Sequence, residues 1–269
     1  MANVQLVSDT HLECGGIKEL INSWVVTSDT LLMAGDIVPV IMIKKRTTQS
    51  KLIKEFFEFV SKNYKNVFWV CGNHEFWGNY IEHTSKNAQD RMKDLKLNNI
   101  HVLNNTTFKT PEFVIFGATL WASINKRNPM DMMFCSSRMN DYSQIKKVDE
   151  WLEHRYLQIE DTVMLHENTA EKLKIFIDAE YDVPKIVMTH HAPSRLSLSD
   201  YYKNDQLSAA YASDLYDMIY DSDLKVWVHG HIHEDVNYMI NKTRICSNTR
   251  GYWGYESSAY SYSHISIDL

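Results

Sequence analysis

Five short apolar runs in this chain each end in residues that can bind a metal ion. They are Ser8-Asp9-Thr10-His11, Ala34-Gly35-Asp36, Cys71-Gly72-Asn73-His74-Glu75, Thr189-His190-His191 and His229-Gly230-His231-Ile232-His233. A polar residue after a strand is ordinary turn chemistry, so one such ending would carry no weight. Five endings, all rich in Asp, His and Asn, are not explained by turns. Imidazole with carboxylate suits zinc, iron or manganese, and the lack of thiolate ligands argues against a closed structural zinc site. Asp9 and His11 stand two residues apart, as do His231 and His233. On extended backbone each pair would point the same way and share one metal or flank two. Gly35, Gly72 and Gly230 precede or separate these residues, where the backbone must turn sharply close to the cluster.

The elements that must position these residues follow from the pattern. Val4–Val7, Thr30–Ala34, Val67–Cys71, Lys185–Thr189 and Lys225–Val228 read as buried strands. In open α/β sheets the carboxyl ends of strands meet at one crevice, so distant residues can converge there. Apolar residues at 52, 53, 56, 57 and 60 predict a helix over Lys51–Asn63, and a polar helix is expected over Tyr80–Leu95. Further strands are expected at Ile100–Leu103 and Phe113–Leu120. From Trp121 to Asp149 there is no clean period, and Asn128-Pro129 reads as a loop; Trp151–Ala179 reads as one long helix or two. From Val236 the pattern predicts a hairpin turning at Asn241-Lys242, then a last strand at Ile265–Ile267. Strand–helix alternation predicts an α/β protein with sheets at the centre and helices outside.

A length of 269 residues favours one domain over 1–269, with an irregular or helical insertion at about 121–180 placed to cover the site. No apolar stretch approaches the roughly 18 residues of a membrane span. The N-terminus lacks a basic region followed by an apolar one, so no secretory leader is expected. Cys14, Cys71, Cys135 and Cys246 lie far apart and unpaired, which suits a reducing cytoplasm. The net charge is −6, and the one basic run, residues 44–46, is too short for a nucleic-acid footprint. Long nucleic acid is therefore not an expected partner.

Taken in order, Asp9-x-His11, Gly35-Asp36, Gly72-Asn73-His74-Glu75, His190 and Gly230-His231-x-His233 resemble the calcineurin-like metallophosphoesterase superfamily. The resemblance implies a four-layer α/β-β/α sandwich, two mixed β-sheets flanked by helices, which the strand ends alone do not determine. It implies phosphoester hydrolysis by a metal-activated hydroxide at two divalent ions, Mn²⁺ before Fe, Zn or Ni. Asp9, His11 and His233 would hold one ion, Asn73, His190 and His231 the other, and Asp36 would bridge them. His74 matches the residue that contacts phosphate and assists the leaving group, and Glu75 supports the ligands. Phosphoprotein phosphatases of the superfamily carry Asp-Arg-Gly after the Gly-Asp block, whereas Ile37-Val38-Pro39-Val40 stands here. That leaves a phosphomonoesterase or phosphodiesterase acting on a small phosphorylated or nucleotide substrate. The alternatives are a metal-poor binding scaffold, or a nuclease acting on short or single-stranded nucleic acid. The tail Asn248-Thr249-Arg250-Gly251-Tyr252 resembles a segment of bacterial and phage-type members, making Arg250 a candidate substrate contact.

Other polar residues divide. His191 and His229 adjoin ligands and are expected in supporting or core roles, while His83, His101, His154, His166 and His264 read as surface or loop residues. Arg127, Arg138, Asn140, Asp141 and Tyr142 lie in the irregular segment. A substrate clamp, above all at Arg138, and a solvated loop are equal readings there. The oligomeric state is not legible.

Overall fold

A computed structural model describes residues 2–149, 151 and 153–269. Its first sheet runs in the order β13-β1-β2-β3-β4, from Asn3–Val7 (β1), Thr30–Met33 (β2), Asn66–Val70 (β3), Ile100–Leu103 (β4) and Ile265–Asp268 (β13). The second runs β11-β12-β10-β9-β6-β5, from Thr106–Lys109 (β5), Val114–Ala118 (β6), Lys185–Thr189 (β9), Val226–His229 (β10), Asn237–Ile240 (β11) and Thr243–Ser247 (β12). Both sheets are mixed. The inner strands are parallel, while β13, β5 and β11 pair antiparallel at the edges.

Period-two alternation explains the layering. Leu32, Ala34, Phe68 and Val70 face Ile115, Ile186, Met188 and Val228 in a core between the sheets. Their neighbours Leu31, Met33, Val67 and Trp69 face outward, against Ile53, Phe56, Phe57 and Val60 of the Thr48–Asn63 helix. On the other side Phe116, Val187 and Trp227 pack against Leu173 and Phe176 of the Ile159–Asp178 helix. Strands buried on both faces read as continuous apolar runs, as these do. The result is two mixed sheets flanked by helices, the expected α/β sandwich. No helix among the described residues is long and apolar enough to cross a membrane.

The middle of the chain departs from its pattern. Trp151–Ala179 is not continuous helix: Glu153–Tyr156 (β8) pairs antiparallel with Lys146–Asp149 (β7), and the helix starts at Ile159. Leu152, part of that expected helix, lies outside the described residues. Ion pairing overrides the local pattern here. Asp161 accepts from Arg155 at 2.6 and 2.8 Å, from Lys147 at 2.6 Å and from the Gln158 N–H at 2.9 Å. The carboxylate thus caps its own helix and ties the hairpin to it. Asn128-Pro129 is a helix start rather than a loop. Asn128 caps Pro129–Arg138 by accepting from Met130 and Asp131, with proline at the first helical position. Just before it, Ile124, Asn125, Lys126 and Arg127 all have φ between 46° and 62°, a left-handed turn. His166, expected at the surface, is buried.

Two outcomes follow from these segments. A left-handed residue with a Cβ carries roughly 1–2 kcal/mol of strain, so Lys126→Gly should raise stability by about 1 kcal/mol, read as a higher melting temperature. Burial pushes Asp161 up, but Arg155 and Lys147 outweigh it and hold its pKa at about 2. A lowered carboxylate stabilises the fold above its unfolded pKa of about 3.9, and this is lost as pH falls toward 2. Because Arg155 and Lys147 are partly solvated, the contribution is on the order of 1 kcal/mol. Asp161→Asn should remove it at pH 7 and flatten the acid limb of a stability–pH curve between about pH 4 and 2.

Candidate active site

The polar strand endings meet at one edge of the sandwich. Those of β1, β2 and β3 are neighbours in the first sheet, and those of β9 and β10 in the second. Three sets of donor atoms each lie within 4.8 Å of one another: Asp9, His11 and His233; Asp36, His190 and His231; and His11, Asp36 and His74. The backbone there is not extended as the pair spacing suggested. Asp9, His11, Asp36, His231 and His233 all have left-handed φ, between 42° and 71°. Such strain persists only where the surroundings over-determine it. Here the Asp9 N–H donates to Gly35 at 2.9 Å, the His11 N–H to Asp36 at 3.0 Å, and the His231 N–H to the Asp9 carboxylate at 3.0 Å.

Asp36 joins the two main sets. Its Oδ1 accepts from the His74 N–H at 2.9 Å, while Oδ2 lies 3.5 Å from His190 Nε2 and 3.7 Å from His11 Nε2. Asn73 belongs to the His190 side. Its amide donates to Asp141 at 3.0 Å, which turns Oδ1 toward His190 Nε2 at 3.1 Å. On the other side, His11 Nε2 and His233 Nε2 face each other at 3.1 Å. A Cβ on Gly35 would collide with His190, on Gly72 with Asp36, and on Gly230 with Asp9. Glycine is required at these three positions by space.

Carboxylates that pattern reading missed orient the imidazoles. Glu13 Oε1 accepts from Nδ1 of His11 and of His74, each at 3.0 Å. Glu256 accepts from His233 Nδ1 at 2.9 Å. With both Nδ1 atoms donating, His11 and His233 point lone pairs at each other, which is repulsive without a cation between them. His231 Nε2 is buried without a hydrogen-bond partner among the described residues. Burial and the neighbouring His191 and His190 hold His231 well below the usual histidine range, in the neutral form that ligates. The donor set therefore fits divalent cations. Glu13 carries a weak sequence signal, two residues after His11. Glu256 carries none, because it arrives from the tail.

The remaining expected residues separate. His74 stacks on Trp77 with ring centroids 3.6 Å apart, and its Nε2 lies 3.3 Å from the Tyr252 hydroxyl. Burial opposes its protonation, but the Asp36 charge and the Glu13 hydrogen bond overcome this and raise it to about 9. Glu75 is buried and touches no donor set. It accepts from the N–H groups of Asp36, Ile37 and Gly72 at 2.7–2.9 Å and from Trp69 Nε1 at 3.2 Å, bracing two ligand loops. His191 and His229 are buried, as expected. A cleft of about 330 Å³ opens over Asp36, Asn73, His74, His231 and His233, with Arg138 and Asn140 in its lining. Arg250 does not line it. Its guanidinium is buried and donates to the carbonyls of Thr10 at 3.1 Å and Gly16 at 2.8 Å, clamping the loop that carries His11. Arg127 pairs with Glu167 at the surface, and the Tyr142 hydroxyl meets Thr162, so neither serves the cleft.

The tight fit at Gly72 has a direct consequence. Gly72→Ala must displace Asp36, so metal affinity should fall at least tenfold while the fold loses only about 1–3 kcal/mol. Metal analysis after equilibrium dialysis, beside a thermal melt, checks this. Unchanged metal content would mean that Asp36 does not hold a cation.

The sequence matches the family model for calcineurin-like phosphoesterase over residues 3–235. An uncharacterised protein of Acanthamoeba polyphaga mimivirus, L509, is 29% identical over 287 residues, covering 100% of this chain and 98% of that one. The crystal structure of phosphopantetheinyl hydrolase (PptH) from Mycobacterium tuberculosis superposes with a TM-score of 0.69 at 16% identity, covering 93% of this chain and 90% of that one. With its ordered donor blocks inside the matched region, the chain belongs to the calcineurin-like phosphoesterase family.

Proposed function

We propose that this protein hydrolyses a small phosphoester, a phosphorylated metabolite or a nucleotide, using two divalent cations. Asp9, His11 and His233 hold one, and Asn73, His190 and His231 hold the other. The observation that carries the reading is Asp36, whose free oxygen lies between His190 and His11 while its other oxygen is fixed by the His74 amide. Bound there, the cations would lower the pKa of water toward neutrality and offset charge on the phosphoryl oxygens. The family resemblance favours Mn²⁺ first, with Fe, Zn or Ni as alternatives, and mixed imidazole and carboxylate donors are compatible with each.

The chain's own groups do the rest. Glu13 holds His74 through Nδ1 and directs Nε2 into the cleft, where a protonated imidazole can donate to the leaving oxygen. Arg138 stands exposed at the mouth, and no ion pair engages it among the described residues. It is available to a negative group beyond the reacting phosphate. The segment over 121–180 contributes Arg138, Met139, Asn140 and Asp141 to the lining, which supports reading it as a cover for the site. Four free cysteines, three of them buried, fit a reducing cytoplasm. A metal-poor scaffold would not need a competent residue at all seven ligand positions.

Chelation should abolish turnover of p-nitrophenyl phosphate or bis-p-nitrophenyl phosphate, and Mn²⁺ should restore it. Asp36→Asn should lose both metal and activity. His74→Ala should keep its metal yet lower kcat about 10²–10⁴-fold on esters with poor leaving groups, and less on nitrophenyl esters. A protonated His74 that donates to the leaving oxygen gives kcat/KM an alkaline limb, and this limb should vanish in His74→Ala. Full activity in either variant would refute the assignment.

A further inference from the structure

The tail after β12 is bonded along the loop that carries Asp9. The Ser8 N–H donates to the Asn248 carbonyl at 3.0 Å, the Arg250 N–H to Ser8 at 3.1 Å, and the Gly251 N–H to Asp9 at 2.9 Å. Gly251 has a φ of 82°, in the left-handed region, and a Cβ there would collide with the Glu256 carboxylate. The Tyr252 carbonyl accepts from the N–H groups of Tyr255 at 3.1 Å and Glu256 at 3.0 Å, a turn that returns Glu256 to His233. Tyr252 is thereby fixed from both sides. Its ring packs on His11 and His233, with centroids 4.2 and 4.7 Å apart, and it lines the cleft beside Asp36, His74 and His231.

Ring packing alone asks only for phenylalanine, so the hydroxyl needs a separate reason. Its one hydrogen-bond partner among the described residues is His74 Nε2, at 3.3 Å. His74 Nδ1 is already held by Glu13 at 3.0 Å, so Nε2 is the atom that faces an ester oxygen. An oxygen that takes Nε2 deprives the Tyr252 hydroxyl of that partner. A hydroxyl left unpaired in a half-buried wall costs free energy. The acceptors then beside it are the non-bridging oxygens on the same phosphorus. Transition-state charge is spread over these equatorial oxygens, and a donor fixed in advance stabilises it without reorganising. We infer that Tyr252 is a catalytic residue, donating its O–H to a non-bridging phosphoryl oxygen while His74 attends the leaving oxygen. No proton changes hands at Tyr252. This rests on the phosphoesterase reading above and adds to it a donor from outside the five donor blocks.

Tyr252→Phe tests it in the Mn²⁺-loaded full chain, because it keeps the ring on His11 and His233 and removes only the hydroxyl. The monoesters p-nitrophenyl and phenyl phosphate set a good leaving group against a poor one, as do the diesters bis-p-nitrophenyl and diphenyl phosphate. Within whichever pair is turned over, kcat should fall at least about tenfold on both members alike, with KM changing less than about threefold. Mn²⁺ content and melting temperature should stay at the wild-type values. Orthovanadate, which adopts the five-coordinate geometry of the transition state, should bind at least about tenfold more weakly by titration calorimetry, and inorganic phosphate should lose less. A loss confined to the poor leaving group would put the hydroxyl on the leaving oxygen, and lost Mn²⁺ would put it in the metal site. Wild-type kinetics with wild-type vanadate affinity would make the ring a packing group. Each of these three results overturns the inference and leaves the phosphoesterase reading standing. No turnover of any of these esters by the wild-type chain would remove both.

Discussion

Asp36 spends one carboxylate oxygen on the backbone of His74 and turns the other toward His190 on one side and His11 on the other. The two histidines come from different sheets, so a single short side chain spans the seam of the sandwich. Everything nearby is arranged to let it reach. Gly35 and Gly72 remove the Cβ atoms that would block His190 and Asp36, and Glu75 gathers the amides on both sides of the turn. Without those features the two donor sets would be separate clusters.

That arrangement is electrostatically expensive. Asp9 and Asp36 are almost wholly buried, Glu13, Asp141 and Glu256 stand directly behind the donor side chains, and Glu75 lies behind the backbone of their loops. Buried carboxylates cost several kcal/mol each unless they are hydrogen-bonded or paired with positive charge. Hydrogen bonds from imidazoles and amides answer part of this need, and two divalent cations would answer the rest. The left-handed backbone at five donor positions fits the same account, since metal coordination can offset strain that a folded apo chain must carry.

Much of this was legible in the sequence, for a physical reason. Strands buried on both faces must be apolar throughout, so each polar residue at the end of Val4–Val7 or Lys225–Val228 stood out against its run. The donor residues, and His191 and His229 as core, could be read that way. The pairing of strands into two sheets could not, because period-two burial does not say which sheet a strand joins; the family resemblance supplied it. Positive φ at Asp9 and His11 was hidden, since no residue there demands glycine. Glu256 was hidden because it reaches His233 from a tail without periodicity, and Arg250 misled because an arginine near a site looks the same whether it faces substrate or loop carbonyls. The β7–β8 hairpin failed locally. Its ion pairs to Asp161 are tertiary, and helical spacing is blind to them.

The central claim is that Asp36 bridges two cations. The most direct measurement is electron paramagnetic resonance of the Mn²⁺-loaded protein, with metal stoichiometry determined on the same sample. The account predicts two Mn²⁺ per chain with an exchange-coupled spectrum, because a shared carboxylate holds the ions about 3.5–4 Å apart. One ion per chain, or two giving only the spectrum of isolated Mn²⁺, would contradict it.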